Sequence, residues 1–143
     1  MEKTVDIDAV IKLAKTAEKI EYEAEKDVGT DSKSCVNIAI AKDEAFCFLY
    51  DDNIAFLEEN GCRIMYFSPI HDSEIPHDAD GVIFWGGYPE RYAKELSENK
   101  SMIKSVKKVI DSGIACIAEC GGFLYLHSYL EGTDGKKYPM AGI

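Results

Sequence analysis

Cys120 is the residue of this sequence whose surroundings point most directly to chemistry. It stands in IAECGGFLYL, after an apolar run that predicts a strand over residues 114–118 and before a run that predicts a helix over residues 122–129. A thiol at such a turn lies near helix amides, whose partial positive charge favours the nucleophilic thiolate. Gly121 and Gly122 permit a tight turn and a close approach of substrate. The pattern therefore makes Cys120 a candidate nucleophile, and the alternative is a buried, unreactive cysteine that ends a strand.

A second glycine pair, in GGYPE, follows the strand that is predicted over residues 82–85. Attack of a thiolate on an amide carbonyl creates an oxyanion, which preorganised N–H donors stabilise. We therefore predict that the N–H groups of Gly87 and Gly121 bind this oxyanion. The alternative interpretation of Gly86 and Gly87 is a plain turn.

Short apolar strands alternate with helices through most of the chain. Strands are predicted at 36–41, 63–67, 82–85 and 114–118, and helices at 54–60, 101–112 and 122–129, with Ser101 as an N-cap. Parallel strands need helical crossovers and are buried on both faces, so the pattern predicts a doubly wound, mostly parallel α/β sheet flanked by helices.

Ligands of such sheets bind beyond the carboxyl ends of the strands. KDEAF, GGYPE and ECGG all occupy that position. Asp43 and Glu44 of KDEAF either complement the dipole of a helix that starts there or contact the substrate, and the sequence leaves both interpretations open.

Four segments together resemble the glutamine amidotransferase domain of the cobyrinate a,c-diamide synthase family. They are IAIAKDEAFCFLY, GGYPERYAKELSENKSM, AECGGFLYL and YPMAGI, in this order from about residue 36 to residue 143. The resemblance implies a class I glutamine amidotransferase-like, flavodoxin-like fold that is truncated at its C-terminus. It also implies that Cys120 attacks glutamine and that the GGYPE loop contacts it, through Gly86, Gly87, Tyr88, Pro89 and Glu90.

The function that this resemblance implies is the glutaminase portion of an ATP-dependent ligase of cobalamin biosynthesis. A cysteine thioester would release ammonia from glutamine for amidation of the a and c acetate side chains of a corrinoid. The resemblance leaves open whether this acceptor carries cobalt or is a related tetrapyrrole. ATP and magnesium would belong to a synthetase half. No G-x-x-x-x-G-K-[ST] phosphate loop occurs in this sequence, so no cofactor is expected in this chain.

Two features depart from the family pattern. Trp85 stands where a small residue or proline is expected before GGYPE, and we interpret it as a core residue. The family's acid–base histidine is expected downstream of PMAGI, whereas this sequence ends at Ile143. His127 would lie about 10 Å along the predicted helix from Cys120, too far to replace it, and His71 and His77 are expected in a surface loop. We therefore expect these residues alone to hydrolyse glutamine poorly or not at all.

The first 34 residues form a separate unit in this interpretation. Residues 7–22 predict an amphipathic helix and residues 23–34 a polar linker. We assign residues 1–34 to the tail of a missing synthetase domain and residues 35–143 to a partial glutamine amidotransferase domain, so the chain resembles a fragment.

Composition limits the partners. The formal net charge is −10, which repels nucleic acid and anionic membranes. No apolar stretch approaches the roughly 18 residues that span a bilayer, and the start lacks a secretion signal, so a cytoplasmic location is expected. The five cysteines are odd in number and scattered, which predicts reduced thiols and no metal site. Glutamine, a corrinoid acceptor and a second copy of the chain remain as predicted partners.

Two other functions compete with the amidotransferase interpretation. The first is a non-catalytic α/β module that binds a ligand or a partner chain through the same crevice. It would give Cys120 no reason to react faster than Cys35 or Cys62. The second is a stand-alone cysteine hydrolase, which would require a histidine beside the sulfur.

Overall fold

The computed structural model describes residues 4–19 and 35–143. In chain order, these ranges contain α1 (Ile7–Ala14), β1 (Val36–Ala41), α2 (Asp51–Glu59), β2 (Cys62–Phe67), β3 (Gly81–Phe84), a 3-10 turn (Pro89–Tyr92), α3 (Ala93–Glu98), α4 (Lys100–Asp111), β4 (Ala115–Ala118), α5 (Gly121–Leu126), β5 (Tyr129–Glu131) and β6 (Lys137–Pro139).

The first four strands form one sheet in the order β2-β1-β3-β4, and every pairing in it is parallel. The predicted doubly wound, mostly parallel α/β fold is confirmed. The chain turns to one side of β1 to make β2 and to the other side to make β3. Sheets of this kind bind ligands in a crevice where the chain changes direction, beyond the carboxyl ends of the strands. In this sheet the crevice lies at the carboxyl ends of β1 and β3. The loops that follow these two strands contain KDEAF and GGYPE.

Helices cover both faces of the sheet. On one face, Ile40, Ile83 and Trp85 pack against Ile54 and Leu57 of α2. On the other face, side chains of β1, β2 and β3 join those of α3, α4 and α5 in a larger core. Alternate residues of β1 point to opposite faces, which is why its apolar run is continuous.

Several predicted helix boundaries are wrong. α1 ends at Ala14 with Lys15 as its C-cap, so the predicted helix to residue 22 stops early, and the predicted linker lies outside the described residues. α2 begins at Asp51 rather than at residue 54. α4 is capped by Asn99, whose side chain accepts a hydrogen bond from the Met102 N–H at 3.2 Å, and not by Ser101.

The helix after Cys120 is also shorter than predicted. α5 ends at Leu126 because Tyr129–Glu131 pairs in antiparallel fashion with Lys137–Pro139. This pairing joins residues on either side of a turn, and it competes with continuation of the helix. None of the helices in the described ranges is long and apolar enough to cross a lipid bilayer.

Candidate active site

Cys120 occupies a strained turn between the end of β4 and the start of α5. Its φ is 47° and its ψ is −112°, and among the described residues no other residue except glycine has a positive φ. A left-handed backbone costs a residue with a side chain about 1–2 kcal/mol, so the surrounding structure must hold it in place. The neighbouring residues do so. The Glu119 N–H donates to the Phe84 carbonyl at 2.9 Å, and the Gly122 N–H donates to the Trp85 carbonyl at 3.0 Å. The Cys120 residue itself is exposed.

Two glycines allow this turn to pack directly onto its neighbours. A Cβ on Gly122 would lie 2.1 Å from the Phe84 carbonyl oxygen, and a Cβ on Gly121 would lie 2.8 Å from Cδ of Pro89. Both distances are shorter than any real contact of a Cβ. The start of α5 therefore sits against the end of β3 and against the 3-10 turn, at a separation that only glycine permits.

The GGYPE loop meets the cysteine turn. A Cβ on Gly86 would lie 3.6 Å from Cβ of Cys120, and a Cβ on Gly121 would lie 3.2 Å from the Gly87 nitrogen. Cys120 is thus exposed and adjacent to the glycine loop, as its predicted role requires. Within the described residues, neither the Gly87 N–H nor the Gly121 N–H donates a hydrogen bond. The binding of an oxyanion by these two groups stays a prediction.

Tyr88 and Glu90 extend from the same loop in different surroundings. Tyr88 is 45% exposed, and its ring packs edge-on against the Phe48 ring at 5.1 Å. Glu90 is half-buried and lies toward the β5–β6 hairpin, where its carbonyl accepts a hydrogen bond from the Thr133 N–H at 3.2 Å. Contact of either side chain with glutamine stays a prediction.

KDEAF forms a loop held by hydrogen bonds and not the start of a helix, so the helix-dipole interpretation of Asp43 and Glu44 is wrong. The Asp43 carboxylate accepts four hydrogen bonds, from the N–H groups of Ala45, Phe46 and Ile70 and from the hydroxyl of Ser68, at 2.8–3.1 Å. It therefore ties the loop after β1 to the loop after β2. Because its carboxylate is already engaged at both oxygens, substrate contact by Asp43 stays a prediction that no structural contact supports.

Glu44 pairs with His71 at the rim of an open cavity of about 640 Å³, which Cys47 also lines. The Oε2–Nε2 distance is 3.0 Å. A hydrogen bond from its own backbone N–H, followed by the hydrogen bond from His71, lowers the pKa of Glu44. This carboxylate lies at the crevice edge of the sheet, and its contact with substrate also stays a prediction.

The three histidines, all of them in the described part of the chain, make their contacts away from Cys120. His71 pairs with Glu44, and His77 pairs with Glu74 at 3.0 Å. His127 follows the last residue of α5 and packs its ring edge-on against Phe123 at 4.7 Å. The structure therefore provides an exposed thiol beside two amides that donate no hydrogen bond within the described residues, and the contacts of the three histidines do not include Cys120.

Trp85, the residue before the glycine loop, is 8% exposed and packs with Ile40 and Ile83. Its interpretation as a core residue is confirmed.

The sequence interpretation missed a different group, the segment from Ala45 to Phe48, which contacts the GGYPE loop directly. KDEAF overlaps this segment, but its charges suggested the start of a helix.

The fold is that of a class I glutamine amidotransferase-like α/β domain, and the strained turn of Cys120 between a strand and a helix has the geometry of a nucleophile elbow. Residues 37–143 match the model of the CobB/CobQ-like glutamine amidotransferase domain. The chain belongs to this family, and the resemblance recognised in the sequence is confirmed.

Curated relatives carry the name cobyrinate a,c-diamide synthase. The protein of Fusobacterium nucleatum is 50% identical over 106 residues, which are 74% of this chain and 24% of the relative. The protein of Clostridium tetani is 44% identical over 134 residues, which are 94% of this chain and 29% of the relative. The protein of Picrophilus torridus is 42% identical over 146 aligned residues, which cover 100% of this chain and 32% of the relative. The chain thus spans about a quarter to a third of the length of these relatives.

Proposed function

We propose that this chain supplies the glutaminase chemistry of a cobyrinate a,c-diamide synthase. The observation that carries the proposal is the position of Cys120, exposed on a left-handed turn and adjacent to the Gly86–Gly87 loop. The family is that of glutamine amidotransferases, and the relatives carry the name of the synthase.

The proposed reaction begins with attack of the Cys120 thiolate on the side-chain carbonyl carbon of glutamine. A C–S bond forms, and the carbonyl electron pair moves to oxygen, where the N–H groups of Gly87 and Gly121 stabilise the negative charge. The tetrahedral intermediate then collapses. The C–N bond breaks, ammonia leaves with an added proton, and a glutamyl thioester remains for hydrolysis by water to glutamate.

The proton for the departing ammonia needs a donor. The imidazoles of His71, His77 and His127 are engaged elsewhere. We therefore propose that these 143 residues alone hydrolyse glutamine slowly or not at all, because formation of the thioester from glutamine requires a proton for the departing ammonia. An activated ester would bypass this limit, because its leaving group needs no proton.

The later steps are part of the same proposal. Ammonia would be used to amidate the a and c acetate side chains of a corrinoid. We place this reaction in the cytoplasm. The sequence lacks a phosphate loop of the form G-x-x-x-x-G-K-[ST]. Asp43, on the loop after β1, has both carboxylate oxygens engaged by hydrogen bonds and is not open to a cation. We assign ATP and magnesium to a synthetase half. A homodimer would use an edge strand of the sheet; within the described residues, β2 pairs only with β1 and β4 pairs only with β3.

Labelling with a chloroketone analogue of glutamine tests the proposal. The Cys120 sulfur would displace chloride to form a stable thioether, and peptide mapping by mass spectrometry would locate the adduct. We expect one adduct, at Cys120, and we expect glutamine to slow its formation. Iodoacetamide, which has no glutamine-like part, serves as the control reagent and should also modify the exposed Cys35 and Cys47.

Two results would contradict the glutaminase proposal. One is chloroketone labelling spread evenly over Cys35, Cys47 and Cys120. The other is a Cys120 adduct whose rate glutamine does not change. Either would favour the non-catalytic binding module.

A further inference from the structure

The glycine loop is held in place by the segment that follows β1. The Tyr88 N–H donates to the Ala45 carbonyl at 2.9 Å, and the Phe48 N–H donates to the Gly86 carbonyl at 3.1 Å. A Cβ on Gly87 would lie 2.0 Å from the Ala45 carbonyl oxygen, so the two backbones are in direct contact. The orientation of the loop is therefore set by a segment that carries none of the reacting groups.

One of these hydrogen bonds determines where the Gly87 N–H points. The Gly86 carbonyl and the Gly87 N–H belong to the same peptide unit, and this part of the chain contains no cis peptide bond. In a planar trans peptide the C=O and N–H bonds point in opposite directions. Because the Gly86 oxygen is directed at Phe48, the Gly87 N–H is directed away from it.

A Gly-Gly peptide needs such a restraint more than any other. Glycine adopts positive and negative φ with similar ease, so the unit between Gly86 and Gly87 has low intrinsic preference for one orientation over its flipped form. In the flipped form the carbonyl oxygen would replace the N–H, and it would repel an oxyanion. The Phe48 N–H favours the form in which the Gly87 N–H is free to donate.

The Phe48 side chain supports the same arrangement. Its Cδ2 lies 3.1 Å from the position of a Cβ on Gly86, and Cβ of Cys120 lies 3.6 Å from that position. Phe48 is 41% exposed, and its ring also packs against the ring of Tyr88. It fills space beside the loop next to the nucleophile.

We propose that Phe48 is a positioning residue for thioester formation: its backbone N–H holds the Gly86–Gly87 peptide so that the Gly87 N–H faces the oxyanion. This inference rests on the proposed glutaminase function. Phe48 donates to no reacting atom and acts through Gly87.

Replacing Phe48 by phenyllactic acid in the full chain tests the role, because the ester keeps the ring and removes only the N–H. Acylation of Cys120 by a γ-glutamyl p-nitrophenyl ester depends on the oxyanion site. The sulfur attacks the carbonyl carbon, the C–O bond breaks and p-nitrophenolate is released. Alkylation of Cys120 by iodoacetamide forms no oxyanion, and its rate reports the state of the thiol alone.

We expect the ester variant to acylate about 100-fold more slowly than the natural chain, the lower end of the range for loss of one oxyanion donor, and to alkylate within about twofold of it. Lactic acid at position 79 is the matched control. It removes one backbone hydrogen bond, from the Ala79 N–H to the Pro76 carbonyl. This bond lies just before β3, at the amino ends of the strands and not at the carboxyl ends where the candidate site lies. Its ratio of acylation to alkylation should equal that of the natural chain. Phe48→Pro also lacks the N–H and should lower the ratio in the same direction.

An unchanged acylation rate in the ester variant would overturn the positioning role while leaving the glutaminase proposal intact. An equal fall in acylation and alkylation would also overturn it, because the bond would then support the fold in general. A natural chain whose Cys120 is not acylated at all would overturn both proposals.

Discussion

Gly87→Ala is expected to damage both stability and the reaction of Cys120. The added Cβ would lie 2.0 Å from the Ala45 carbonyl oxygen, so the two groups would have to separate by about 1.4 Å to reach the ordinary contact distance of 3.4 Å. Such a shift would stretch the 2.9 Å hydrogen bond from the Tyr88 N–H to the same oxygen beyond hydrogen-bonding distance.

The magnitude follows from these two effects. Overpacking costs about 1–3 kcal/mol, and leaving a backbone N–H without a partner costs about 1–3 kcal/mol. We therefore expect the free energy of unfolding to fall by about 3 kcal/mol in equilibrium urea denaturation. The rate of chloroketone labelling at Cys120 should fall as well, because the loop that borders the sulfur has moved.

Gly113→Ala is the matched control. Gly113 has a φ of +87°, and a Cβ there would meet nothing within 4 Å, so only backbone strain is added, at about 1–2 kcal/mol. This variant should lose some stability and label at Cys120 at the natural rate. The reasoning is refuted if Gly87→Ala is as stable as the natural chain, or if both variants label equally fast.

Two further outcomes follow from buried groups. The Tyr125 hydroxyl is buried without a hydrogen-bond partner among the described residues, and its burial, with the charge of Asp43 next, raises the pKa of this phenol. Tyr125→Phe should therefore raise the free energy of unfolding by about 1 kcal/mol in thermal denaturation, and a loss of stability would contradict this. Burial also raises the pKa of Cys116. Because less of its thiol is ionised at a given pH, iodoacetamide should modify Cys116 more slowly than Cys35 near pH 8. The rate at Cys116 should increase as the pH rises further. Equal rates at the two cysteines near pH 8 would contradict this prediction.

The parallel sheet was predictable because its signals are local. β1 was predicted with the observed bounds, Val36–Ala41, since a short apolar run between polar residues identifies a strand buried on both faces. The end of α5 was not predictable in this way. Residues 122–129 are apolar enough to continue a helix, and pairing of β5 with β6 ends it at Leu126.

Tertiary contacts also decide which residue caps α4. Asn99 accepts from the Met102 N–H, and its amide donates to the carbonyls of Pro69, Ile70 and Asp72 in the preceding loop. Ser101 has a suitable side chain for a cap, but it makes none of these contacts with the loop. Capping preference alone could not distinguish the two residues.

In the candidate site, too, one part of the arrangement was predictable from the sequence and another part was not. Cys120, Gly86, Gly87 and Gly121 were predicted from residue type and from their position after strands, and the structure places them next to one another. The hydrogen bonds that join Ala45 and Phe48 to this loop involve only backbone atoms. They depend on the approach of two loops that are about 40 residues apart in sequence, and no side-chain pattern encodes that approach.

At position 120, the residue that would best stabilise the fold differs from the residue that the proposed reaction needs, because the backbone there has a positive φ. Glycine would adopt the same turn without steric cost. A chain that merely needed this bend would therefore be more stable with glycine at position 120. Under the proposed glutaminase function, the thiol is kept at a cost in stability, so a search for more stable variants will tend to select glycine at position 120 unless the reaction of Cys120 is screened together with heat tolerance.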